Sequence, residues 1–327
     1  MRLSSYSIDG RSTWGVVASD GTLVEASGVA DAPATLDEHI EHPSSTVVDA
    51  LRSLVAGGGG ASPETVVWMP PVRRPSKILG VAINNVIGQR IAHRPFANPA
   101  FFFKPPSSLV GHGQPVVVHE SYEVTHPEPE LAVVSGRRAK DVDEREALSY
   151  VFGYTIINDI TSPGLKSEDS IELVMPPGSN TGAYGRLLGW RSNRDDEHAR
   201  SNYLTYHARS KGTDTFGPIG PWIVTADEIA DPNTLSVRSF DGDTPVFVDS
   251  TANLLFPVQR VIAHASASMT LLPGDIIHCG TSMKAADDGP YRGITDWDLR
   301  RVDGRPMRID IDGIGTLSNP VQWERDR

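Results

Sequence analysis

Glycine and proline punctuate this chain from end to end, at 30 and 25 of its 327 residues. Proline removes a backbone donor, and both residues favour turns over regular helix. A helical bundle is therefore excluded, and the expectation is many turns and short strands. The strand-like runs agree. Lys77-Ile-Leu-Gly-Val-Ala, Ala100-Phe-Phe-Phe-Lys, Pro115-Val-Val-Val-His, Phe152 to Ile160, Pro221 to Thr225 and Asp275 to Cys279 are short, apolar and bounded by turn residues. Met307-Arg-Ile-Asp-Ile-Asp-Gly-Ile-Gly-Thr-Leu alternates with period two. Helical spacing is confined to residues 46–56, to Asp143–Val151, where Asp143 and Glu146 form a capping box, and to Pro257–Leu271. No strand–helix–strand rhythm runs through the chain, so an α+β, β-rich, mostly antiparallel architecture is predicted.

The run Gly57-Gly-Gly-Gly60 and the prolines at 70, 71 and 75 read as a linker. They divide the chain into a small N-terminal α/β domain, 1–72, and a larger domain, 73–327. The formal net charge of -11 repels phosphate backbones, which argues against nucleic acid as a partner. No apolar run is long enough to span a bilayer, and Asp9 interrupts any signal-like core. The lone cysteine, Cys279, permits no intrachain disulfide. These features fit a cytoplasmic metabolic protein.

Four segments carry chemistry. In Val124-Thr-His-Pro-Glu128-Pro-Glu130-Leu-Ala-Val-Val, alternation along a strand points Glu128 and Glu130 the same way. Two like charges side by side repel unless a cation lies between them. The flanking prolines place the segment at an edge, bulge or rim. By itself the segment equally describes two solvated surface glutamates. In Gly153-Tyr-Thr-Ile-Ile-Asn-Asp159 a carboxylate ends an apolar strand, where burial without a partner is costly; a turn-capping Asp is the plainer reading. Lys211 precedes Gly-Thr-Asp-Thr-Phe-Gly-Pro-Ile-Gly-Pro-Trp, and by itself is an ordinary surface lysine. The pair Gly280-Thr281 ends a strand with backbone N–H groups and a hydroxyl, which suits a carboxylate ligand or a simple turn.

Taken together and in order, these segments resemble the fumarylacetoacetate hydrolase family. The resemblance spans residues 77 to about 321. It rests on Lys77-Ile-Leu-Gly-Val-Ala, Phe103-Lys-Pro-Pro-Ser-Ser, Glu128-x-Glu130-Leu-Ala-Val-Val, Gly153-Tyr-Thr-Ile-Ile-Asn-Asp159, Phe216-Gly-Pro-Ile-Gly-Pro-Trp, Leu272-Pro-Gly-Asp-Ile-Ile-x-x-Gly-Thr281 and Gly313-Ile-Gly-Thr-Leu-Ser-Asn. It implies a mixed β-roll with a small N-terminal domain, commonly as a homodimer. It implies a Mg²⁺ or Mn²⁺ ion held by Glu128, Glu130 and Asp159, with Lys211 catalytic and Gly280 and Thr281 binding substrate. The chemistry of the set agrees: three carboxylates, with no Cys or His cluster expected nearby, make a hard all-oxygen site. Such an ion accepts a 2-oxo acid and stabilises its enolate, and Lys211 adds positive charge there. The implied activity is fumarylacetoacetate- or acylpyruvate-type hydrolysis of a carbon–carbon bond.

The chain also departs from the family pattern. Hydrolytic members carry a water-activating histidine in an Asn-Tyr-x-x-His motif; here the text is Asn84-Asn85-Val86-Ile87-Gly88. His93 is the nearest substitute, and is otherwise a surface histidine beside Arg94. Lys166 stands where an arginine and glutamine usually follow the metal aspartate, but it lacks the bidentate fork. Residues of about 170–205, with Trp190, Arg191 and Tyr203, read as an insertion over the site. Loss of the histidine opens two alternatives. One is an isomerase or decarboxylase of a 2-hydroxydienedioate or β-oxo acid in aromatic-compound degradation, similar to 2-hydroxyhepta-2,4-diene-1,7-dioate isomerases. The other is a non-catalytic carboxylate-binding protein. A structural β protein without a site would bind no Mg²⁺ or Mn²⁺ at all.

Overall fold

The computed structural model describes residues 1–91, 96–174, 201–302 and 304–325. It opens with β1 (Arg2–Ile8), β2 (Arg11–Val17) and β3 (Leu23–Glu25), helices α1 (Leu36–Glu41) and α2 (Ser45–Gly57), and the short β4 (Val67–Trp68). Next come β5 (Ile78–Val81), β6 (Phe101–Lys104), β7 (Leu109–Val110), β8 (Val116–His119), β9 (Pro129–Ser135) and β10 (Val151–Asn158). Helix α3 (Pro163–Glu168) leads into a ribbon of β11 (Ser170–Val174) and β12 (Ser201–Thr205). Helix α4 (Ala208–Gly212) then leads into β13 (Gly217–Thr225). The rest is β14 (Ser236–Asp241), β15 (Thr244–Ser250), α5 (Val258–Ser268), β16 (Ile276–Thr281), β17 (Pro306–Ile311) and β18 (Gly315–Glu324).

Among the described residues the main sheet runs β3-β2-β1-β13-β10-β9-β16-β5-β6, and a second sheet runs β15-β14-β17-β18-β8. Most pairings are antiparallel; β5 with β16, β7 with β13 and β8 with β18 are parallel. The β-rich, mostly antiparallel architecture expected from the sequence is the observed one.

The period-two alternation of β9 explains how the layers assemble. Leu131 and Val133 join Leu79, Tyr154, Ile156 and Ile277 in a core shared with α5 and with β14, β17 and β18. Ala132 and Val134 join Ile78, Ile157, Ile219 and Ile276 in a core covered by α1, α2 and the N-terminal strands. Both faces of the central strands are thus buried, which is why those strands read as continuous apolar runs.

Residues 1–72 share this sheet and this core with the rest of the chain. β1 pairs with β13 through Arg2 with Val224 and Leu3 with Ile223. One local expectation is corrected. Residues 143–151 do not form an α-helix: Asp143 caps a turn through the Arg145 N–H, and only a 3-10 turn, Ala147–Tyr150, follows. The chain must straighten at Val151 to enter β10 beside β9, so there is no room for a longer helix. Of the edge, bulge or rim expected for the Glu-x-Glu segment, the structure gives an irregularity: the β9–β16 register shifts between His278, opposite Ala132, and Thr281, opposite Glu130. β9 is central, and Pro129 is tolerated because it is the strand's first residue.

The approach to β5 is fastened to β16 by Asp275, which is fully buried. Its carboxylate accepts from Ser76 Oγ at 2.6 Å, from the Lys77 and Leu272 N–H groups at 3.1 and 2.7 Å, and from the Lys77 ammonium. Asp275→Ala strands these donors and is expected to cost about 2–4 kcal/mol in urea unfolding. A loss under about 1 kcal/mol would show that water replaces the carboxylate there.

Candidate active site

β9, β10 and β16 lie side by side, and their ends bring the three predicted carboxylates together. Glu130 stands in register with Ile157 on β10 and with Thr281 on β16. Glu128 is fixed just before β9: its N–H donates to Asn158 Oδ1 at 2.9 Å, and its carbonyl accepts from the Asp159 N–H at 2.9 Å. Glu130 and Asp159 are buried, and Glu128 is mostly so, at 16% side-chain exposure.

Each carboxylate has one oxygen held from outside and one turned inward. Glu128 Oε1 faces His126 Nε2 at 3.1 Å. Glu130 Oε2 accepts from His278 Nδ1 at 2.7 Å and from the Gly280 N–H at 2.8 Å. Asp159 Oδ1 accepts from Lys104 Nζ at 2.6 Å. The other three oxygens converge. Thr281 Oγ1 reaches Glu128 Oε2 at 3.2 Å and Glu130 Oε1 at 2.9 Å. Lys211 Nζ reaches Glu128 Oε2 at 3.0 Å and also bonds Asp159 Oδ2 and Thr161 Oγ1.

The structure brings Glu128, Glu130, Asp159, Lys211, Gly280 and Thr281 together; the Gly280 N–H and the Thr281 hydroxyl, expected to bind substrate, hydrogen-bond the glutamates. Lys166 is exposed on α3, and His93, Trp190 and Arg191 lie outside the described residues. The expected insertion begins and ends as a ribbon, with Ser170 opposite Thr205.

One expectation is corrected: histidines are part of this cluster. Glu130, Asp159 and His278 each offer a ligand atom within 4.8 Å of the others. His278 and Lys104 stand on strands remote in sequence from Glu130 and Asp159, so spacing along the chain does not reveal them, whereas His126 lies two residues before Glu128. The only signals were the His-Pro-Glu run and the lysine inside Phe103-Lys-Pro-Pro.

The electrostatics are those of a cation site. Burial acts to raise the Glu128 carboxyl, but the Lys211 charge and the His126 hydrogen bond hold it well below the usual carboxylate range. Burial likewise opposes ionisation of Asp159, and Lys104 and then Lys211 overcome it. Burial acts against the Lys211 ammonium, but Asp159 and Glu128 raise its pKa, so it stays charged. Lys104 and Lys211 face the three carboxylates, and burial pushes the Lys104 ammonium below its ordinary pKa of 10.5. Among the described residues, the group whose ligand atoms lie close enough together to hold a metal ion is Glu130, Asp159 and His278, with Glu128 beside it through Thr281.

The loops around the site converge on Asp249 of β15, also buried. Its Oδ2 accepts from Asn85 Nδ2 at 3.1 Å and from the Met283 and Lys284 N–H groups at 2.7 and 3.1 Å. Its Oδ1 accepts from Ser250 N–H and Asn253 Nδ2 at 2.8 and 2.6 Å. Asn84 and Asn85 also donate to the Cys279 and Thr281 carbonyls at 2.6 and 3.1 Å. This ties the 84–88 segment to the end of β16. His207, before α4, lies half-buried with its ring centroid 6.1 Å from that of Phe102, whose face lies 4.6 Å from Lys211 Nζ.

The fumarylacetoacetate (FAA) hydrolase C-terminal family model matches residues 80–322. The protein Rv2993c of Mycobacterium tuberculosis is 33% identical over 229 residues, covering 70% of this chain and 68% of that protein. The 4-hydroxyphenylacetate degradation bifunctional isomerase/decarboxylase of Salmonella dublin is 29% identical over 272 residues, 83% of this chain and 52% of that one. Maleylpyruvate hydrolase from Sphingobium sp. SYK-6, solved with manganese(II) and pyruvate, superposes with a TM-score of 0.71 at 27% identity, covering 99% of both chains. The 2-hydroxyhepta-2,4-diene-1,7-dioate isomerase of Mycobacterium marinum gives 0.65 at 26% identity, again over 99% of both.

Burial acts to raise the Asp249 carboxyl, but the Asn253 side chain and three backbone N–H groups depress it below its ordinary 3.8. A depressed carboxylate stabilises the fold above its unfolded pKa, and this contribution fades as pH falls through the folded one. Asp249→Asn is expected to cost about 1–3 kcal/mol in urea unfolding at pH 7. The deficit should shrink toward pH 3, and a deficit independent of pH would rule out a role for the charge.

Proposed function

The chain is an enzyme of the fumarylacetoacetate hydrolase family, and we propose that it hydrolyses a carbon–carbon bond of a small 2,4-dioxo acid of the acylpyruvate kind. The observation that carries this reading is the convergence of three inner carboxylate oxygens beside a charged, buried lysine. Glu128, Glu130 and Asp159 would hold Mg²⁺ or Mn²⁺, which when bound supplies Lewis-acid charge at the substrate's carboxylate and keto oxygens.

The chain's own groups do the remaining work. Lys211 Nζ keeps its proton and stands where negative charge develops on the keto oxygen, so it stabilises that charge without rearranging. Lys166, exposed on α3 and near enough to lower the pKa of His207, attracts an anionic substrate toward the site. His207 is a further imidazole near the site, packed against Phe102, whose ring Lys211 Nζ faces. Burial, and then the charges of Lys166 and Lys211, push it below its ordinary 6.5, so it is neutral near pH 7. Its Nδ1 faces Ser210 Oγ at 3.4 Å, which leaves Nε2 to take a proton from the attacking water. The same reading makes the protein a cytoplasmic homodimer acting on small-molecule acids.

A second reading, isomerisation or decarboxylation, is favoured by Gly88. A Cβ there would come within 2.8 Å of Ile83 Cγ2 and 3.2 Å of Met283 Sδ, so a side-chain base at this position would have to displace those side chains. Tautomerisation of a hydroxydienedioate needs no activated water.

Assays with Mg²⁺ or Mn²⁺ against acylpyruvates, oxaloacetate and hydroxydienedioates distinguish the two. Glu130→Ala is expected to abolish turnover of the substrate that responds, and Lys211→Met to lower kcat by about 10²–10³-fold. Unchanged turnover in Glu130→Ala refutes the metal assignment. Mn²⁺ binding without turnover of any of these acids points to a non-catalytic carboxylate binder.

His207→Gln is expected to lower hydrolysis by about 10²-fold or more while sparing tautomerisation. The neutral imidazole is the active form, so kcat/KM for hydrolysis should fall on the acid side, with its limb below pH 6.5. An acid limb that survives in His207→Gln would assign the base to another group.

A further inference from the structure

The two glutamates of the site are each held by an imidazole, through opposite nitrogens. His126 presents Nε2 to Glu128 Oε1 at 3.1 Å, and His278 presents Nδ1 to Glu130 Oε2 at 2.7 Å. An ionised carboxylate only accepts, so each of these nitrogens carries the proton. The residues are 4% and 0% exposed. The second nitrogens, His126 Nδ1 and His278 Nε2, are buried and have no hydrogen-bond partner among the described residues. Neither ring gains a second polar contact from its burial, so its hydrogen-bonding purpose is the glutamate it faces.

The fold makes room for these rings. Phe102 on β6, Gly80 on β5, His278 on β16 and Ala132 on β9 stand in one cross-strand row. A Cβ on Gly80 would lie 2.5 Å from His278 Nε2, and the Phe102 ring packs edge-on to the imidazole with centroids 5.4 Å apart. The ring is therefore fixed in rotation. His126 is pinned through its backbone, which exchanges hydrogen bonds with Thr161 at 2.8 and 2.9 Å.

We infer that His126 and His278 are positioning residues of the metal centre. By holding Glu128 Oε1 and Glu130 Oε2, they turn Glu128 Oε2 and Glu130 Oε1 toward the shared cation. This inference rests on the metal reading above. Partners that orient metal-ligating groups typically account for about 10–100-fold in metal affinity. The use of different nitrogens gives a specific signature. A Gln side chain places its amide nitrogen near the Nε2 position and an Asn side chain near the Nδ1 position. Gln should therefore replace His126, and Asn should replace His278, but not the reverse.

The experiment titrates the full chain with Mn²⁺ and reads free ion by EPR. Asp159→Asn serves as the control for the site itself. His126→Ala and His278→Ala are expected to weaken Mn²⁺ binding by about 10–100-fold. His126→Gln and His278→Asn should stay within several-fold of wild type. The crossed variants, His126→Asn and His278→Gln, should behave like the alanine variants. Thermal midpoints of the metal-free proteins should not follow this order. Alanine variants that bind as wild type, or matched and crossed amides that behave alike, overturn the inference. So does strong nitrogen-14 coupling to bound Mn²⁺ that disappears in His278→Asn, which would make His278 a direct ligand. If Asp159→Asn loses Mn²⁺ while the histidine variants do not, the positioning role alone fails. If wild type binds no Mn²⁺, or Asp159→Asn binds it normally, the metal reading and the inference fall together.

Discussion

Three carboxylates buried within hydrogen-bond reach of common donors repel one another, and the rest of this structure is arranged around that fact. An isolated buried charge costs far more than a fold of ordinary stability can absorb. Here Lys104 and Lys211 approach Asp159 from opposite sides, Lys211 also reaches Glu128, and the two glutamates share Thr281. Oxygen donors gathered in this way suit a hard cation, which is the basis of the metal reading proposed above.

The cage is rigid because it stands on strands and not on loops. β9, β10 and β16 are buried on both faces, and their alternating side chains lock into two separate cores. The register that packs those cores also sets Glu130 opposite Thr281. Around this frame, Asp249 ties the 84–88 segment to the chain beyond β16, so the parts nearest the substrate are anchored by a buried polar hub.

Membership of the fumarylacetoacetate hydrolase family accounts for the shared carboxylates and lysine. It does not account for what differs here. Gly88 leaves the usual position of a water-activating base without a side chain, while His207 stands beside Phe102. Histidines also back both glutamates. These are the features through which one metal-binding frame can be turned toward hydrolysis or toward proton relocation.

The local chemistry was legible from order along the chain. Period-two alternation placed Glu128 and Glu130 on one side, and both do meet Thr281. Apolar runs marked β5, β9, β10 and β16, because strands buried on both faces need no polar positions. The Asp143 capping box misled, since its local signal was outweighed by the need to enter β10 at Val151. What no local pattern contains is the register between strands distant in sequence. Only the pairing of β9 with β16 brings His278 to Glu130, only the β5–β6 pairing beside it carries Lys104 to Asp159, and only the joining of β1 to β13 merges the N-terminal residues into the same sheet. Those meetings depend on packing summed over two whole cores, and packing is a property of the assembled chain.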